Sequence, residues 1–256
     1  MKQSIRGMLT TEMTISLSLQ KRWNKKNLNP LSYLPTELKG RGITPEQNKI
    51  VNQGFGGKAS AYAGGQVDLL PHSPYGLWPK GRSVLYYGYG RGYDRSFIHR
   101  VAHRGLHTEI HDISTVACHN AEQYIESHRE EWGEFTPTVT VSDVRYFSAL
   151  PHHDYALIYA CRLLGALDDT DLRLTLNGFG RHFLDQDHPV RLVVIEAFSN
   201  DNPHVVQGPT MRLRPLSLFA DYLQRGSARK IQVLPSKDTI SYYHKRYRPV
   251  VFIPYY

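Results

Sequence analysis

Three glycines at alternate positions offer the clearest chemistry in this chain. Gly88, Gly90 and Gly92 follow the apolar run 83–87, and a mixed polar and apolar stretch comes after them. This order predicts a buried strand, a tight turn with exposed backbone amides, and a helix that opens toward a bound ligand. Glycine suits the turn because a side chain would hold the backbone away from the ligand or forbid a positive φ. An ordinary glycine-rich turn between strand and helix is the alternative that this motif alone leaves open.

An acidic residue lies downstream at a useful distance. Asp112 comes 20 residues after Gly92, at the end of the second predicted strand. An acid in that place is positioned to accept hydrogen bonds from ribose hydroxyls. A nicotinamide-dinucleotide motif would require GxGxxG spacing with glycine at position 93, where this chain has Tyr93. The GxGxG spacing therefore disfavours a dehydrogenase.

The elements that must position these groups alternate along the chain. Apolar runs predict strands at 83–87, 108–113, 138–141, 155–160 and 191–198, and helical spacing occurs at 94–104, 116–127 and 171–183. Such repetition is typical of a parallel sheet with helices on both faces. A helix at 216–224 and two strand-like runs at 230–234 and 249–255 predict a closing antiparallel hairpin.

The first third of the chain is less regular. The alternation of Met13, Ile15, Leu17 and Leu19 with polar residues predicts a half-buried strand, and the basic stretch 21–42 predicts irregular structure anchored by Trp23, Tyr33 and Leu34. Thr44-Pro45-Glu46-Gln47 is typical of a helix start, and we expect that helix to end near Asn52. Seven glycines and three prolines in 54–82 predict a loop-rich connection. We therefore divide the chain into a basic extension, 1–43, and a domain, 44–256.

Composition restricts the class of protein. A hydrophobic content of 41% and a charged content of 21% are typical of a soluble globular protein, and no apolar run approaches the roughly 20 residues of a membrane span. No leader peptide is evident, and two cysteines make neither a disulfide framework nor a metal knuckle, so we expect a cytoplasmic protein without a membrane partner.

Positive charge is concentrated at the two ends. Residues 1–43 carry eight Lys and Arg against two Glu, and residues 225–256 carry seven against one Asp, so each end has a balance of +6 within a total of +8. Basic ends favour a phosphate-rich partner such as RNA or DNA, with solvated tails as the alternative. Tyr242, Tyr243 and Tyr247 interleave with basic residues and could stack on bases, or could pack the edge of the sheet.

Five segments in order resemble one enzyme superfamily. VLYYGYGRG, EIHDIS, VSDV, YALIYACRLLGAL and VRLVVIEAF resemble the strand series of class I S-adenosylmethionine-dependent methyltransferases, over roughly residues 80–256. The resemblance implies an α/β three-layer sandwich with a mostly parallel seven-stranded sheet whose last strands form an antiparallel hairpin. It also implies S-adenosylmethionine as the cofactor. The basic ends favour RNA or DNA as the methyl acceptor, with a small molecule or a protein as the alternatives.

The same resemblance assigns the cofactor-binding residues. The glycine loop would wrap the methionine part, Asp112 would hold the ribose with Ile113 beside the adenine, and Asp143 would meet the adenine amine with Val144 adjacent. The segment from Ala160 to Leu164 would form the floor under the sulfonium. The full predicted set is Tyr86, Gly88, Tyr89, Gly90, Gly92, Asp112, Ile113, Asp143, Val144 and Ala160.

The chain departs from the superfamily pattern in three places. Tyr86 stands where an acid usually organises the glycine loop, Tyr89 stands where a small residue is common, and the turn before strand five reads Leu184-Asp185-Gln186-Asp187-His188-Pro189. Either another acid takes over the role, or the protein is a catalytically inactive, methyltransferase-like binding or scaffold subunit. A different nucleotide-binding α/β enzyme is the third interpretation.

Catalytic residues are not predicted, because a sulfonium is already activated and needs mainly an aligned nucleophile. Ala160-Cys161-Arg162-Leu163 lacks the motif of enzymes that methylate amino groups of nucleic acids. Glu196, Asn200 and His204, at or beyond the end of strand five, are candidates for substrate contact. His99, His103 and His107 recur every four residues, but Gly105 interrupts their helix, so we predict no metal site.

Overall fold

The computed structural model describes residues 17–29, 31, 34, 38–70, 82–145, 155–184, 190–205 and 212–255. The strands are β1 (Ser83–Tyr87), β2 (His107–Asp112), β3 (Thr138–Val141), β4 (Tyr155–Cys161), β5 (Arg191–Glu196), β6 (Ile231–Pro235), β7 (Ile240–Tyr242) and β8 (Lys245–Pro254). The helices are α1 (17–28), α2 (Pro45–Asp68), α3 (Ser96–His103), α4 (Thr115–Glu126), α5 (Arg129–Trp132), α6 (Asp169–Leu184) and α7 (Leu216–Ser227).

One sheet organises the described chain, in the order β3-β2-β1-β4-β5-β8-β6, with β7 paired to β8. The pairs among β1 to β5 are parallel, and β8 runs antiparallel to both β5 and β6. This confirms the predicted α/β sandwich with a mostly parallel sheet and a closing antiparallel hairpin. The strand order reverses at β1: β2 and β3 are added on one side of it, and β4 and β5 on the other. A crevice therefore opens outside the carboxyl ends of β1 and β4.

Strand β1 shows how the two faces of the sheet are covered. Val84 and Tyr86 belong to one buried cluster, while Leu85 and Tyr87 belong to another. Successive side chains of a strand point to opposite faces, so each cluster packs one face against its helices. Helices α2 and α3 contribute to the first cluster, and α6 and α7 contribute to the second. All five residues of β1 are buried, as expected of a central strand.

The expected loop-rich connection after Asn52 is wrong for residues 54–68, which belong to α2. Thr44 does begin this helix with a reciprocal capping box with Gln47. The helix continues through its glycines because they allow close packing: a Cβ on Gly56 would lie 2.2 Å from the Tyr93 carbonyl oxygen, and one on Gly64 would lie 2.4 Å from the Arg100 side chain. Tertiary packing outweighs the low helix propensity of glycine here. The rest of that predicted loop, 71–81, lies outside the described residues.

The predicted strand near Leu17 and Leu19 is also wrong, since residues 17–28 form α1. Within the stretch that we expected to be irregular, residues 21–28 are helical as well. Lys, Arg, Gln and Leu dominate this segment and are good helix formers. Leu19, Trp23 and Asn27 recur every four residues and share one helix face, which the shorter alternating pattern hid. Met13, Ile15 and Tyr33 lie outside the described residues.

Among the helices of the described chain, we find no segment with both the length and the apolar character needed to cross a membrane.

Candidate active site

A cavity of about 260 Å³ opens at the carboxyl ends of the central strands. Its wall contains the glycine loop after β1, the chain that follows β2 and β3, and the turn after β4. Part of α1 and the middle of α2 complete the wall on the other side. Of the predicted site residues, the structure brings seven together around this cavity: Gly88, Tyr89, Gly90, Asp112, Ile113, Asp143 and Val144.

The glycine loop has the backbone conformation that its sequence predicts. Gly88, Gly90 and Gly92 have φ angles of +80°, +55° and +62°, which side chains rarely adopt. A Cβ on Gly92 would also lie 2.5 Å from the ring of Tyr89. Gly92 is buried and does not line the cavity, so its role is to let the loop close over that ring.

Asp112 joins the loop to the second strand. Its Oδ2 accepts a hydrogen bond from the Gly90 backbone amide at 2.9 Å, and its Oδ1 accepts one from the Ser114 amide at 2.8 Å. Burial raises the pKa of this carboxyl from 3.8 to about 6, against the opposing effect of the backbone hydrogen bonds. Ionised carboxylates offer about four acceptor positions, so the two amides leave others for a ligand.

Asp143 lies at the end of β3 in a different electrostatic setting. Both of its oxygens accept from the Arg145 Nε atom at 3.0 Å, and Arg145 also lies 3.5 Å from Asp171. The guanidinium therefore fixes the orientation of the Asp143 carboxylate at the wall of the cavity. Val144 follows it and is largely buried, so an apolar group comes directly after the acid.

Asp94 brings a carboxylate next to Tyr86, the position where the superfamily pattern has an acid. Tyr86 is fully buried and does not line the cavity; its hydroxyl donates to the Asp94 carboxylate. The hydroxyl of Tyr159 on β4 donates to Asp94 Oδ2 at 2.6 Å. Asp94 itself lines the cavity and is 8% exposed. Burial raises the pKa of Asp94, and the two tyrosine hydrogen bonds oppose that rise.

Sequence reasoning missed Asp94, although a signal was present. It is the first acid after the glycine loop, only two residues beyond Gly92. The sequence left open whether the side chain of Tyr89 fills the cofactor pocket or stacks within it. Tyr89 packs inward against Tyr86, with ring centroids 5.7 Å apart. It is 2% exposed, so it supports the loop from beneath and contributes only an edge to the cavity.

The turn after β4 forms the wall opposite the loop. Ala160 is buried within the strand, and the cavity is lined instead by Cys161, Arg162 and Leu163. Arg162 has a φ of +55°, which is unusual for a residue with a side chain. Its Nη1 donates to Asn52 Oδ1 of α2 at 3.1 Å, so this strained residue is tied to the neighbouring helix.

Glu196 at the end of β5 supports this turn. Its Oε2 accepts from the Gly165 amide at 2.9 Å, and a Cβ on Gly165 would lie 3.0 Å from Oε1. Burial raises the pKa of Glu196 to about 7. Asn200 and His204 are exposed and lie outside the cavity. Of the three candidates for substrate contact beyond β5, Glu196 is therefore the one closely associated with the pocket, through the turn that it holds.

Helix α1 closes the cavity from above. Leu19, Arg22, Trp23 and Asn27 line it. Two hydrogen bonds attach the helix to the rest of the domain. Ser114 Oγ, after β2, donates to Asn24 Oδ1 at 2.8 Å, and Arg91 Nε, in the glycine loop, donates to the Asn27 carbonyl at 2.9 Å. A cation beside the last carbonyls of a helix is also favoured by the helix dipole.

The predicted histidine row is not gathered in space. His107 lies in β2, where its ring bonds Thr138 at 3.0 Å. His99 instead meets Glu131 at 2.9 Å and the Tyr124 hydroxyl at 2.6 Å. His99, His128 and Glu131 place ligand atoms within 4.8 Å of one another, and none of the three lines the cavity. Trp132 Nε1 donates to His99 Nδ1 at 3.2 Å, so hydrogen bonds already engage this group.

Comparison with solved structures identifies the fold. The structure of magnesium protoporphyrin IX methyltransferase (ChlM) from Synechocystis PCC 6803 with bound SAH (S-adenosylhomocysteine) matches with a TM-score of 0.64 and 14% identity, covering 93% of this chain and 99% of that chain. The methyltransferase domain of bacterial CtHen1-C matches with a TM-score of 0.53 and 14% identity, covering 79% and 97%. The CMeT domain of the citrinin polyketide synthase matches with a TM-score of 0.55 and 15% identity, covering 82% and 57%.

These likenesses show that the chain has the class I methyltransferase fold, as the sequence resemblance implied. No protein-family model matches the sequence, and no curated protein matches it.

Proposed function

We propose that this protein is an S-adenosylmethionine-dependent methyltransferase. The observation that carries the proposal is the hydrogen bond between the Gly90 amide and Asp112, at a cavity bounded by the carboxyl ends of the central strands. It joins the glycine loop and the ribose-binding acid of the superfamily pattern in one place. The cofactor of the ChlM structure, which holds SAH, supports the choice of ligand.

The residues present fit this cofactor. Asp112 keeps acceptor positions for ribose hydroxyls, and Ile113 and Val144 provide apolar wall for the adenine. Asp143, the predicted partner of the adenine amine, already accepts contacts from the Arg145 backbone amide, Nε and Nη2, so the adenine amine would have to displace one of them. Asp94 lines the cavity beside the loop, where a carboxylate favours the cationic groups of the cofactor.

S-adenosylmethionine supplies an electrophilic methyl group on a sulfonium, so the protein has mainly to position the acceptor. The turn after β4 is the part of the wall that the resemblance places beneath the sulfonium, and it contributes Cys161, Arg162 and Leu163. Glu196 and Asn52 hold this turn in place from the interior and from α2. The enclosure by α1 reduces access of water to the reacting groups.

The inactive-scaffold interpretation depended on the missing acid at Tyr86. Asp94 supplies a carboxylate at the same loop, and Tyr86 helps to orient it. This arrangement argues against the inactive interpretation. A different nucleotide-binding enzyme would have to use the same GxGxG loop and Asp112, and the fold neighbours favour methyl transfer.

RNA or DNA as the acceptor remains a prediction from the basic ends of the chain. Arg22 on α1 lines the cavity, and Lys21 and Lys25 are exposed on the same helix, which supports it. Tyr242 and Tyr247 are 2% exposed, so these two tyrosines do not offer the stacking surface that their sequence context suggested. Nucleic-acid binding through phosphates should weaken steeply with salt, and a salt-independent affinity would argue against this acceptor. A cytoplasmic location likewise stays a prediction.

Calorimetric titration with S-adenosylmethionine and SAH tests the proposal. We expect binding by the unchanged protein and a loss of about tenfold or more in Asp112→Ala, because a buried carboxylate that binds hydroxyls is removed. Asp238→Ala, at an exposed site in the β6–β7 turn, is the matched control and should bind normally. Absence of heat at millimolar ligand would refute the enzyme assignment, and binding that survives Asp112→Ala would show that the site is misassigned.

A further inference from the structure

A group of metal-ligand side chains lies outside the cavity, where α3 meets the junction of α4 and α5. His99 belongs to α3, His128 directly precedes α5, and Glu131 lies within α5. One ligand atom from each lies within 4.8 Å of those of the other two. The side chains of His99 and Glu131 are 25% and 45% exposed, so an ion has access from solvent. Of the predicted histidine row, only His99 belongs to this group.

The hydrogen bonds of His128 determine which of its ring nitrogens carries the proton. Its Nδ1 lies 2.8 Å from the Tyr124 carbonyl oxygen, which can only accept. Ser127 Oγ also lies 2.8 Å from this nitrogen, and its own proton is donated to the same carbonyl. A neutral ring therefore has its proton on Nδ1 and a lone pair on Nε2. Histidines that bind a metal usually have this arrangement, with one ring nitrogen donating to a carbonyl and the other free for the ion.

His99 has a conflict at its Nδ1 that a cation would resolve. Its Nε2 lies 2.6 Å from the Tyr124 hydroxyl, whereas Nδ1 lies 2.9 Å from Glu131 Oε1 and 3.2 Å from Trp132 Nε1. The indole N–H can only donate and the carboxylate can only accept, so neither a protonated nor an unprotonated Nδ1 suits both neighbours. A divalent ion shared by Nδ1 and Glu131 would hold the two together, and the second carboxylate oxygen would then accept from the indole.

The local charge and the spacing of the ligand atoms also suit a metal ion. Residues 126–134 carry four Glu against one Arg, so the segment that holds two of the ligands is acidic. Two ligands of one zinc ion lie about 3 Å apart, and His99 Nδ1 and Glu131 Oε1 are 2.9 Å apart. Side-chain movement of about 1.5 Å would bring His128 into the same shell. Two imidazoles and a carboxylate favour Zn²⁺ over Mg²⁺ or Ca²⁺, which prefer oxygen ligands.

We propose that His99, His128 and Glu131 bind Zn²⁺, with water completing the coordination. This inference goes beyond methyl transfer and does not depend on it, because none of the three residues lines the cavity. The ion would tie α3, the helix that follows the glycine loop, to the junction of α4 and α5. The alternative is a protonated His99 paired with Glu131, which needs no ion.

Calorimetric titration of Zn²⁺ into the whole, chelator-treated chain tests the proposal, with Mg²⁺ as the comparison. We expect one zinc ion per chain with a Kd of about 10 μM or below, and Mg²⁺ binding at least about a hundredfold weaker. The melting temperature should rise with Zn²⁺, because the ion binds the folded state. Absence of zinc binding would overturn the proposal in favour of the ion pair, and equal affinities for Zn²⁺ and Mg²⁺ would also overturn it.

Variants assign the zinc ion to these residues. Glu131→Gln and His128→Gln should each weaken zinc binding at least about tenfold and remove the thermal shift. His119→Gln and Glu122→Gln are the matched controls, because this exposed pair on α4 lies 3.8 Å apart and offers the same types of ligand. Glu131 is half-exposed, so its variant should fold normally even if the variants of the packed histidines do not. Zinc affinity that is unchanged in Glu131→Gln, or that falls equally in the controls, would overturn the site.

Discussion

We expect Asp112, the proposed ribose-binding acid, to make cofactor binding depend on pH. The folded protein ionises this carboxyl near pH 6, whereas an unfolded chain ionises it near 3.8, and burial is the main cause. This difference is worth about 3 kcal/mol, because each factor of ten in a proton equilibrium corresponds to about 1.4 kcal/mol. Ribose hydroxyls donating to Asp112 would favour the ionised form, so ligand and proton compete for the same carboxyl.

The expected result is tighter SAH binding as pH rises. About half of the Asp112 carboxyl is ionised at pH 6 and about a tenth at pH 5, so the apparent Kd should be about tenfold larger at pH 5 than at pH 7. Calorimetry from pH 5 to 7.5 at constant ionic strength measures it. Asp112→Asn should bind SAH weakly with a much flatter pH profile, since the titrating group is gone.

The unliganded fold should respond in the opposite direction. Between about pH 4 and pH 6 the folded state retains a proton on Asp112 that the unfolded state has lost, so the contribution of this group to stability falls as pH rises. A urea midpoint that shifts less with pH in Asp112→Asn than in the unchanged protein would agree. A pH-independent Kd between 5 and 7, or one equally pH-dependent in the variant, would refute the reasoning.

Three further predictions concern the supports of the pocket. The free energy of unfolding, measured by urea titration, should be about 2–4 kcal/mol lower for Asp94→Leu than for Asp94→Asn, because leucine leaves two buried tyrosine hydroxyls without an acceptor. Equal free energies for the two variants would contradict the role of this carboxyl. Gly56→Ala should destabilise the protein by about 1–3 kcal/mol through contact with Tyr93, whereas Gly57→Ala, with open space around its Cβ, should stabilise α2 by up to about 1 kcal/mol; thermal melts that move the same way would show that the close packing is misjudged. Deleting residues 1–28 should weaken SAH binding about tenfold or more, because Leu19 and Trp23 of the cavity wall are lost. Deleting only residues 1–16 keeps α1 and is the control. Equal SAH affinities of the two shortened forms in calorimetry would exclude α1 from the binding site.

Sequence patterns predicted the central sheet well because its strands are short, buried and separated by clear helical spacing. Thr138–Val141 agrees at both ends with β3, and the glycine loop and Asp112 meet as expected. The errors lie where packing decides the conformation. Glycines in 54–68 indicated a loop, but the helix has glycine at positions 56 and 64 because Tyr93 and Arg100 approach its backbone closely and leave no room for a side chain. That information is tertiary and has no local pattern.

The same limit explains the parts of the site that were missed. Leu17 and Leu19 suggested a strand, whereas the helical face is defined by Trp23 and Asn27 together with Leu19, over a longer window. Arg162 falls in the predicted floor segment 160–164, but the sequence does not indicate its position among Phe55, Tyr242 and Tyr247, which are far from it in sequence. Cation–π contacts between distant residues produce no regular spacing along the chain, so a single sequence does not predict them.

The linked pair of Tyr86 and Asp94 has a consequence for how this fold is recognised. A profile written along the chain expects the negative charge on the first strand, two residues before the glycines, and penalises a tyrosine there. In the structure the carboxylate comes from Asp94, beyond the loop, and the hydroxyl of Tyr86, which occupies the strand position, donates a hydrogen bond to it. Converting one arrangement into the other requires two coordinated changes, because an aspartate at both positions would bury two like charges side by side. Proteins that share this pair should therefore be sought with both positions together.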